Sequence, residues 1–504
     1  MPDLHLLVAL LLPASAATLW YLGKFTTNQV FPPGPRPLPV LGNILDLTTK
    51  ELWLRAHEWA KQYGSITYVH IFGQDVLFLN DANMAAELLD RRGATYSGKP
   101  RLVMVGEMCG CEKMIPFTTY NDAFRRRRKL MQMTLGPRNI QNYHSGMEAE
   151  TKTFLRSIVS DPSNYLRHIR RYAGGLTLSV VYGYKALSSN DPYLLLAEEC
   201  MTLLSNEMAP GPGIWPVDIF PILRYFPKWL PGGTFKVKAA KWKQRMEEFI
   251  EKPWAHAKAS MMSGTILPSF CSTFLEKGHL PPEEEEDVKY SANSMYAASA
   301  DTTITTISHL ILAMMYYPEC FKKAREEIEE VVGKSRLPNF NDRASLPYLE
   351  CILNETWRWG CPVPLNLPHL VTEDDIFQGK TVRKGALVIA NIWAILRDEA
   401  IYPDASTFRP ERFMEDISPE KMKQRDPRNY IFGFGRRRCP GADLVDSSIW
   451  LLLATMVAVI DISKPVNSDG TEFEPEIEFD NFVFRTPKAF QFRVRMRSNL
   501  LEDA

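Results

Sequence analysis

The sequence lacks net charge: 59 lysines and arginines are balanced by 59 aspartates and glutamates over 504 residues. That balance argues against a nucleic-acid partner, since no basic stripe supplies the electrostatic footprint. Internal repeats and long low-complexity linkers are lacking as well. Nothing therefore divides the chain, and one large catalytic domain is expected over residues 40–504. Cysteine is sparse. The eight cysteines are scattered through a chain far larger than a disulfide-stapled scaffold, which suits a reducing compartment. Cys109-Gly110-Cys111 lacks the two-residue spacing of a zinc knuckle and no histidine pair follows it, so no second metal site is expected there. No stretch resembles a flavin- or nicotinamide-binding module.

What is present begins with Leu4–Leu22, almost wholly apolar apart from His5, Pro13 and two hydroxyl residues. As a helix it would span ~28 Å at ~1.5 Å per residue, close to the thickness of a bilayer core. A cleaved signal peptide is the competing reading, because Leu6–Leu12 is short and Ala14-Ser15-Ala16 follows. No Lys or Arg precedes the run, whereas Lys24 and Arg36 follow it. That asymmetry favours a retained anchor over residues 1–24, amino end in the lumen and the rest cytosolic. Phe31-Pro32-Pro33-Gly34-Pro35-Arg36-Pro37-Leu38-Pro39 is then a stiff spacer, part of a proline-rich hinge over residues 25–39.

Tyr68–Phe72 and Val76–Asn80, separated by Gly73-Gln74-Asp75, read as a β-hairpin. Residues 81–330 follow a mainly helical period. Glu283–Glu286 reads as a solvated loop or a helix entrance. Strand-like pieces return at Asp375–Asn391 and Phe479–Val494. A large helical body with small sheets on one side is a mainly α, α+β arrangement.

The densest chemistry lies in Phe432-Gly433-Phe434-Gly435-Arg436-Arg437-Arg438-Cys439-Pro440-Gly441. A thiolate, the form of cysteine that binds metal, is favoured by nearby positive charge. Gly435 and Gly441 allow backbone conformations that a side chain would forbid. Upstream, Ala297-Ala298-Ser299-Ala300-Asp301-Thr302-Thr303 opens an apolar helix, and Ala298, Asp301, Thr302 and Thr305 share a face. An aspartate there costs free energy unless it is hydrogen-bonded or wetted, and a satisfied polar patch is the bland alternative. Leu346–Arg358 reads as an amphipathic helix with Pro347 in its first turn, and Glu355 and Arg358 can pair on one face. The sequon Asn354-Glu355-Thr356 falls inside that helix and is not expected to carry a glycan.

The cysteine stretch fits F-x-x-G-x-R-x-C-x-G and resembles the haem-ligand loop of the cytochrome P-450 family. The rest of the chain after the anchor resembles that family in the same motif order, most closely its fungal, basidiomycete microsomal members that oxidise natural products and xenobiotics. The resemblance implies the P-450 fold, haem b, and Cys439 as axial iron ligand. Ala297–Thr303 resembles the oxygen-activation motif, which implies room over the iron at Ala298, a hydrogen bond from Thr302 to bound dioxygen and a proton relay at Asp301. Ser299 stands where the family usually has glycine, which puts coupling efficiency in question. Glu355, Arg358 and, from Pro410-Glu411-Arg412-Phe413, Arg412 resemble the family's structural Glu–Arg–Arg core.

Propionate partners carried over by resemblance are Arg128 in Phe124-Arg125-Arg126-Arg127-Arg128, Arg437, His369 and, more weakly, Lys99. Phe124 replaces the usual tryptophan, and a satisfied loop histidine is the alternative for His369. The other arginines of the two basic runs are expected near the surface, where an acidic electron donor would dock. Substrate contacts are implied at Arg101–Thr119, Asn293–Ala297, Pro362–Leu367 and Asn481–Phe484, largely apolar through Leu102, Val103, Met104, Val363, Leu365, Phe482 and Val483. An aromatic, proline-rich pair of segments, Ile214–Pro221 and Tyr225–Leu230, reads first as core packing and second as a membrane-dipping channel mouth.

The implied reaction is insertion of one oxygen atom of O2 into a small lipophilic substrate, a terpenoid, aromatic, alkaloid or polyketide. NADPH contributes only indirectly, through a membrane-bound NADPH–cytochrome reductase, with cytochrome b5 a second candidate donor. The implied location is the endoplasmic reticulum membrane, single-pass, with the catalytic domain cytosolic. Two rivals are a haem-thiolate peroxide isomerase or dehydratase, against which Asp301 and Thr302 argue, and a non-enzymatic haem sensor.

Overall fold

The computed structural model describes residues 30–48, 50–209 and 215–501. The Leu4–Leu22 run and the start of the hinge lie outside the described residues. Two compact units share the chain. The first takes the amino-terminal part to Pro100, Leu365–Ile395 and Phe434–Arg437; the second takes Arg101–Pro364, Leu396–Gly433 and Arg438 onward.

In the first unit, helix α1 (Leu52–Tyr63) precedes strands β1 (Ile66–Ile71) and β2 (Gln74–Leu79). Late in the chain come β3 (His369–Leu370), β4 (Asp375–Phe377), β5 (Lys380–Val382) and β6 (Leu387–Ala390). The β1–β2 turn is Phe72-Gly73, with φ of +45° and +90°, the left-handed pair that a two-residue type I′ hairpin requires. The hairpin therefore turns earlier than the sequence suggests. Asp75 joins the strand because its carboxylate accepts from Tyr68 Oη at 2.7 Å and bonds His70 Nδ1 at 2.8 Å. β2 also pairs in parallel with β6, giving the order β1-β2-β6-β3. α1 packs Leu52, Ala56 and Trp59 against Val69, Ile71, Val76 and Phe78.

The second unit is mainly helical. Its long helices are α2 (Asp122–Leu135), α3 (His144–Ser160), α4 (Tyr165–Tyr182), α5 (Pro192–Leu203), α6 (Thr234–Met262), α7 (Pro282–Tyr316), α8 (Pro318–Val331), α9 (Pro347–Gly360) and α10 (Ala442–Val459). Two small sheets accompany them: β7 (Ile460–Ser463) pairs with β10 (Arg493–Met496), and β8 (Phe479–Asn481) with β9 (Arg485–Pro487). The mainly α, α+β expectation therefore holds.

α7 begins at Pro282, not at Ala297 as the apolar pattern suggests. Pro282 takes the first helical position, where its missing N–H costs nothing, and Glu283, Glu284 and Glu285 complement the helix dipole. The polar residues that follow are accommodated within the helix. Ser291 donates to Asp287 O at 2.6 Å and Ser294 to Tyr290 O at 2.6 Å, so neither hydroxyl needs water. Among the described residues α10 alone is long and apolar enough to cross a membrane, yet 67% of it is buried within the protein. It is a core helix.

Candidate functional site

In the second unit Cys439 sits three residues before the start of α10, whose N-terminal dipole favours a thiolate. Its amide donates to Phe432 O at 2.7 Å, closing the loop on itself. Burial pushes the thiol up, while the Gly441 N–H and the guanidiniums of Arg128 and Arg438 pull it down. Gly433 (φ +73°) and Gly435 (φ +48°) are the left-handed positions of this stretch. Gly441, at φ −92°, is in ordinary backbone, which corrects the expectation for it. Within the first unit, a Cβ at Gly435 would stand 2.4 Å from Leu89 O, and the Gly435 amide donates to Asp90. Neither Gly433 nor Asp90 was singled out in the sequence; the Phe-Gly-Phe-Gly alternation was the one signal for the former.

Glu355, Arg358 and Arg412 meet as expected, and none of the three is exposed to solvent. Arg358 grips Glu355 through Nε at 2.7 Å and Nη2 at 2.8 Å, and Arg412 Nε reaches it at 3.2 Å. The remaining donors go to backbone carbonyls: Arg358 to Leu396, Ala405 and Thr407, Arg412 to Pro403, Asp404 and Thr407. Two like-charged guanidiniums share one carboxylate, so every spare N–H must find an oxygen, and each carbonyl used pins the 396–407 segment. Asn354 of the neighbouring sequon accepts from Arg428.

The first unit brings Lys99, His369 and Arg437 together. Lys99 Nζ donates to Leu367 O at 3.1 Å and Pro368 O at 2.8 Å, and burial lowers its pKa well below the ordinary lysine value. His369 Nδ1 donates to Tyr96 O at 2.7 Å; burial, with Lys99 and Arg437 nearby, pushes its pKa down to about 3. Arg437 Nε donates to Ser97 O at 2.9 Å. In the second unit Arg128 is half-buried beside Cys439, and burial lowers its pKa.

Taken unit by unit, these residues fit the carboxylates of a haem in one testable respect. Among the described residues neither Lys99 nor Arg128 has a carboxylate partner within ion-pair distance, although both are desolvated. An uncompensated buried cation is costly, and a carboxylate-bearing cofactor removes that cost. His369 would donate from Nε2 to a carboxylate only as imidazolium, a form that a nearby anion favours.

Of the other arginines in the two basic runs, Arg125, Arg126 and Arg436 are exposed as expected, and Arg127 is the exception. Arg127 is buried and bonds Asp287 at 2.7 Å, with Glu286 at 3.3 Å. Arg126 bonds Glu283 and Asp287, each at 2.6 Å. The acidic run is thus a helix entrance, the second of the two expected readings: Glu283 and Glu286 meet the α2 arginines, while Glu284 pairs with Lys277 and Glu285 with Lys258. Tertiary packing decided these partners, because each run reads as a solvated face when taken alone.

On α7, Asp301, Thr302 and Thr305 lie within one turn of one another. Thr302 Oγ1 donates to Ala298 O at 3.0 Å, Thr305 Oγ1 to Asp301 O at 2.7 Å, and Ser299 Oγ to Tyr296 O at 2.9 Å. Ser299 therefore spends its hydroxyl within its own helix. Asp301 faces a cavity of about 450 Å3 lined also by Arg170, Glu198, Thr202, Tyr296 and Ala300. Burial raises its pKa; Arg170 and a 3.5 Å bond from Ser205 Oγ oppose this. A carboxyl whose protonated form burial favours, facing a cavity, is suited to passing on a proton. No sequence signal pointed to Ser205.

Of the apolar residues expected to meet substrate, Val103 and Met104 are wholly buried in the core, whereas Val363, Leu365, Phe482 and Val483 are half-buried. Asn293 is also fully buried, its amide 3.4 Å from Phe249 O. The aromatic segments divide. Trp215 packs on Trp242 and donates to Met208 O at 2.9 Å, but Phe220, Ile222, Tyr225 and Trp229 are 53%, 72%, 66% and 81% exposed. Core packing is thus overturned for those four.

Comparison with known proteins agrees with this geometry. The sequence model of the family described as Cytochrome P450 matches residues 32–491. Cytochrome P450 monooxygenase claT of Ampulloclitocybe clavipes is 40% identical over 469 residues, covering 92% of this chain and 91% of that one. Cytochrome P450 monooxygenase claR of the same fungus is 38% identical over 491 residues, 96% and 90% of the two chains. Cytochrome P450 monooxygenase 176 of Postia placenta is 37% identical over 473 residues, 93% and 90%.

Proposed function

Because the chain belongs to the cytochrome P450 family, and so is a haem-thiolate monooxygenase supplied with electrons by a redox partner, we propose a specific role for each site residue and a specific setting. The substrate is a small lipophilic terpenoid, aromatic, alkaloid or polyketide. NADPH delivers electrons through a separate membrane-bound reductase, with cytochrome b5 as a second candidate donor. Residues 40–504 act as one catalytic domain held at the endoplasmic reticulum membrane by residues 1–24.

Cys439 would hold the haem iron, and Arg128, Arg437, His369 and Lys99 would partner its propionates. When bound, the haem supplies dioxygen binding and O–O cleavage, which the thiolate assists by donating electron density. The chain's own residues supply protons and order. Thr302 gives up its back-bond to Ala298 O and presents its hydroxyl where a proton is needed. Asp301 takes a proton from the water-accessible cavity and passes it on, its burial keeping the protonated form populated. Glu355, Arg358 and Arg412 hold the chain that leads to the cysteine loop. The observation that carries the reading is Cys439 just before α10, with the Gly441 N–H and the nearby positive charges of Arg128 and Arg438 favouring its thiolate.

The direct test is the spectrum of reduced, carbonylated protein in freshly prepared membranes, together with reductase-driven oxygen consumption. A thiolate-type band with NADPH-dependent turnover is expected; an imidazole-type band or none would remove the assignment of Cys439. Thr302→Ala should retain haem but divert electrons to hydrogen peroxide, lowering product per NADPH. Unchanged coupling would take the proton role away from Thr302.

Membrane attachment is expected to have two parts. The exposed aromatic group at Phe220, Ile222, Tyr225 and Trp229 supports a second, weaker contact beside the anchor, since tryptophan and tyrosine favour the bilayer interface. Deleting Met1–Leu22 should release most of the protein from membranes at high salt, with a residue that is lost on adding Trp229→Ser. Complete retention of the deleted form would assign attachment to the aromatic group instead.

A further inference from the structure

The β8–β9 hairpin carries the loop Phe482–Phe484 at its tip, and two polar contacts join it to α7. Thr486 Oγ1 lies 2.6 Å from Thr305 Oγ1, and Arg485 Nη1 lies 2.9 Å from His309 Nε2. Thr305 donates its own proton to Asp301 O, so in the hydroxyl pair Thr486 is the donor. His309 is fully buried. Its Nδ1 donates to Thr305 O at 2.8 Å, which fixes Nε2 as the acceptor for the guanidinium. Burial, reinforced by Arg485, lowers the His309 pKa well below its ordinary value, so the ring stays neutral and able to accept.

The junction is tight. Phe479 of β8 stacks on the His309 ring, with centroids 5.9 Å apart and planes at 27°, and lies 4.2 Å beneath the Arg485 guanidinium. Gly360 closes the third side: a Cβ there would stand 3.0 Å from His309 Cγ. Arg485 Nη1 also donates to Gly360 O at 3.3 Å, and the Arg485 amide donates to Pro362 O at 3.1 Å. One arginine thus joins α7, the end of α9 with the Pro362–Pro364 segment, and the hairpin. The hydroxyl pair sits one turn beyond Asp301, on the same helix.

We infer that Thr305, His309, Arg485 and Thr486 form a clamp that sets the position of the Phe482–Phe484 loop relative to α7, and thereby decides how large a lipophilic ligand the site accepts. The inference rests on the proposed reading that this loop faces substrate. A two-stranded hairpin of three residues per strand is too short to hold its loop by its own ladder, so the anchoring contacts govern its placement. The four residues are positioning residues; none is assigned a step in the chemistry.

The test uses haem-loaded full-length protein and three variants: Thr486→Val, which keeps shape but removes the hydroxyl, Thr486→Ser, which keeps the hydroxyl, and His309→Phe. Spectral titration with imidazole and with the bulkier 4-phenylimidazole yields the ratio of two dissociation constants, and hydrogen exchange is followed across residues 479–487. Thr486→Val and His309→Phe should raise exchange in that segment and shift the ratio about three- to tenfold, the range of one lost buried hydrogen bond, while Thr486→Ser stays with wild type. Unchanged exchange would overturn the clamp, and raised exchange with an unchanged ratio would overturn its control of ligand size. Wild-type protein that shifts its spectrum with neither imidazole would instead overturn the haem-thiolate reading, and this inference with it. Should His309→Phe fail to load haem, the Thr486 pair decides.

Discussion

Cys439→Ala is expected to abolish product formation and the thiolate-type carbonyl band while leaving the fold intact. The loop is closed by the Cys439 backbone amide on Phe432 O, which alanine retains, and the sulfur itself accepts an N–H from Gly441. Removing the sulfur from a half-buried position costs little packing. On the proposed assignment of Cys439 it also removes the thiolate beside Arg128 and Arg438 that would anchor the cofactor and supply the electron density assisting oxygen cleavage. The informative comparison is Cys439→Ser, similar in shape and a poor ligand at neutral pH. Both variants should retain the helical circular dichroism signal of wild type, and neither should show the band. A serine variant with wild-type turnover would mean that another group holds the iron.

Glu355→Ala should have the largest effect on stability. It leaves the Arg358 and Arg412 guanidiniums side by side and unexposed with no counter-charge. Breaking a buried pair by removing one partner costs about 3–5 kcal/mol, and here two cations lose the same partner. Set against a total stability of about 5–15 kcal/mol, the loss leaves little or nothing in reserve. The expected result is a large fall in soluble yield, in Soret absorbance per protein and in urea midpoint. Arg358→Lys should lie between the two, because lysine cannot supply the forked pair of bonds to Glu355 together with three carbonyl contacts. Wild-type midpoints for Glu355→Ala would show that the triad is not what holds the 396–407 segment.

Local patterns were read well where spacing alone carried the information. Glu355 and Arg358, three apart on α9, pair as their helical spacing demands, and Pro347 occupies the first turn of that helix. The strand-like pieces expected at Asp375–Asn391 and Phe479–Val494 formed there, as β4–β6 and β8–β10. Readings failed where a residue's partner lies far away in sequence. Arg127 looks like any surface arginine until Asp287 is placed 2.7 Å from it. Gly433, rather than Gly441, takes the left-handed conformation because the loop must turn before the cysteine, a demand that comes from closing Cys439 on Phe432. Trp229 and Tyr225 read as core because large aromatics are usually buried, yet among the described residues no element covers them.

The amino-acid order by itself carried the resemblance that implied the reaction class, through the cysteine loop, the acid–alcohol pair on an apolar helix and the E-x-x-R helix taken in that family's order. Tertiary structure alone decided which cations stay unanswered, which aromatics face outward, and how His309 and Arg485 come to join a hairpin to α7. The reason is physical. Covalent spacing sets what a residue can do, whereas burial and the approach of distant groups set its charge, its partner and its freedom to move.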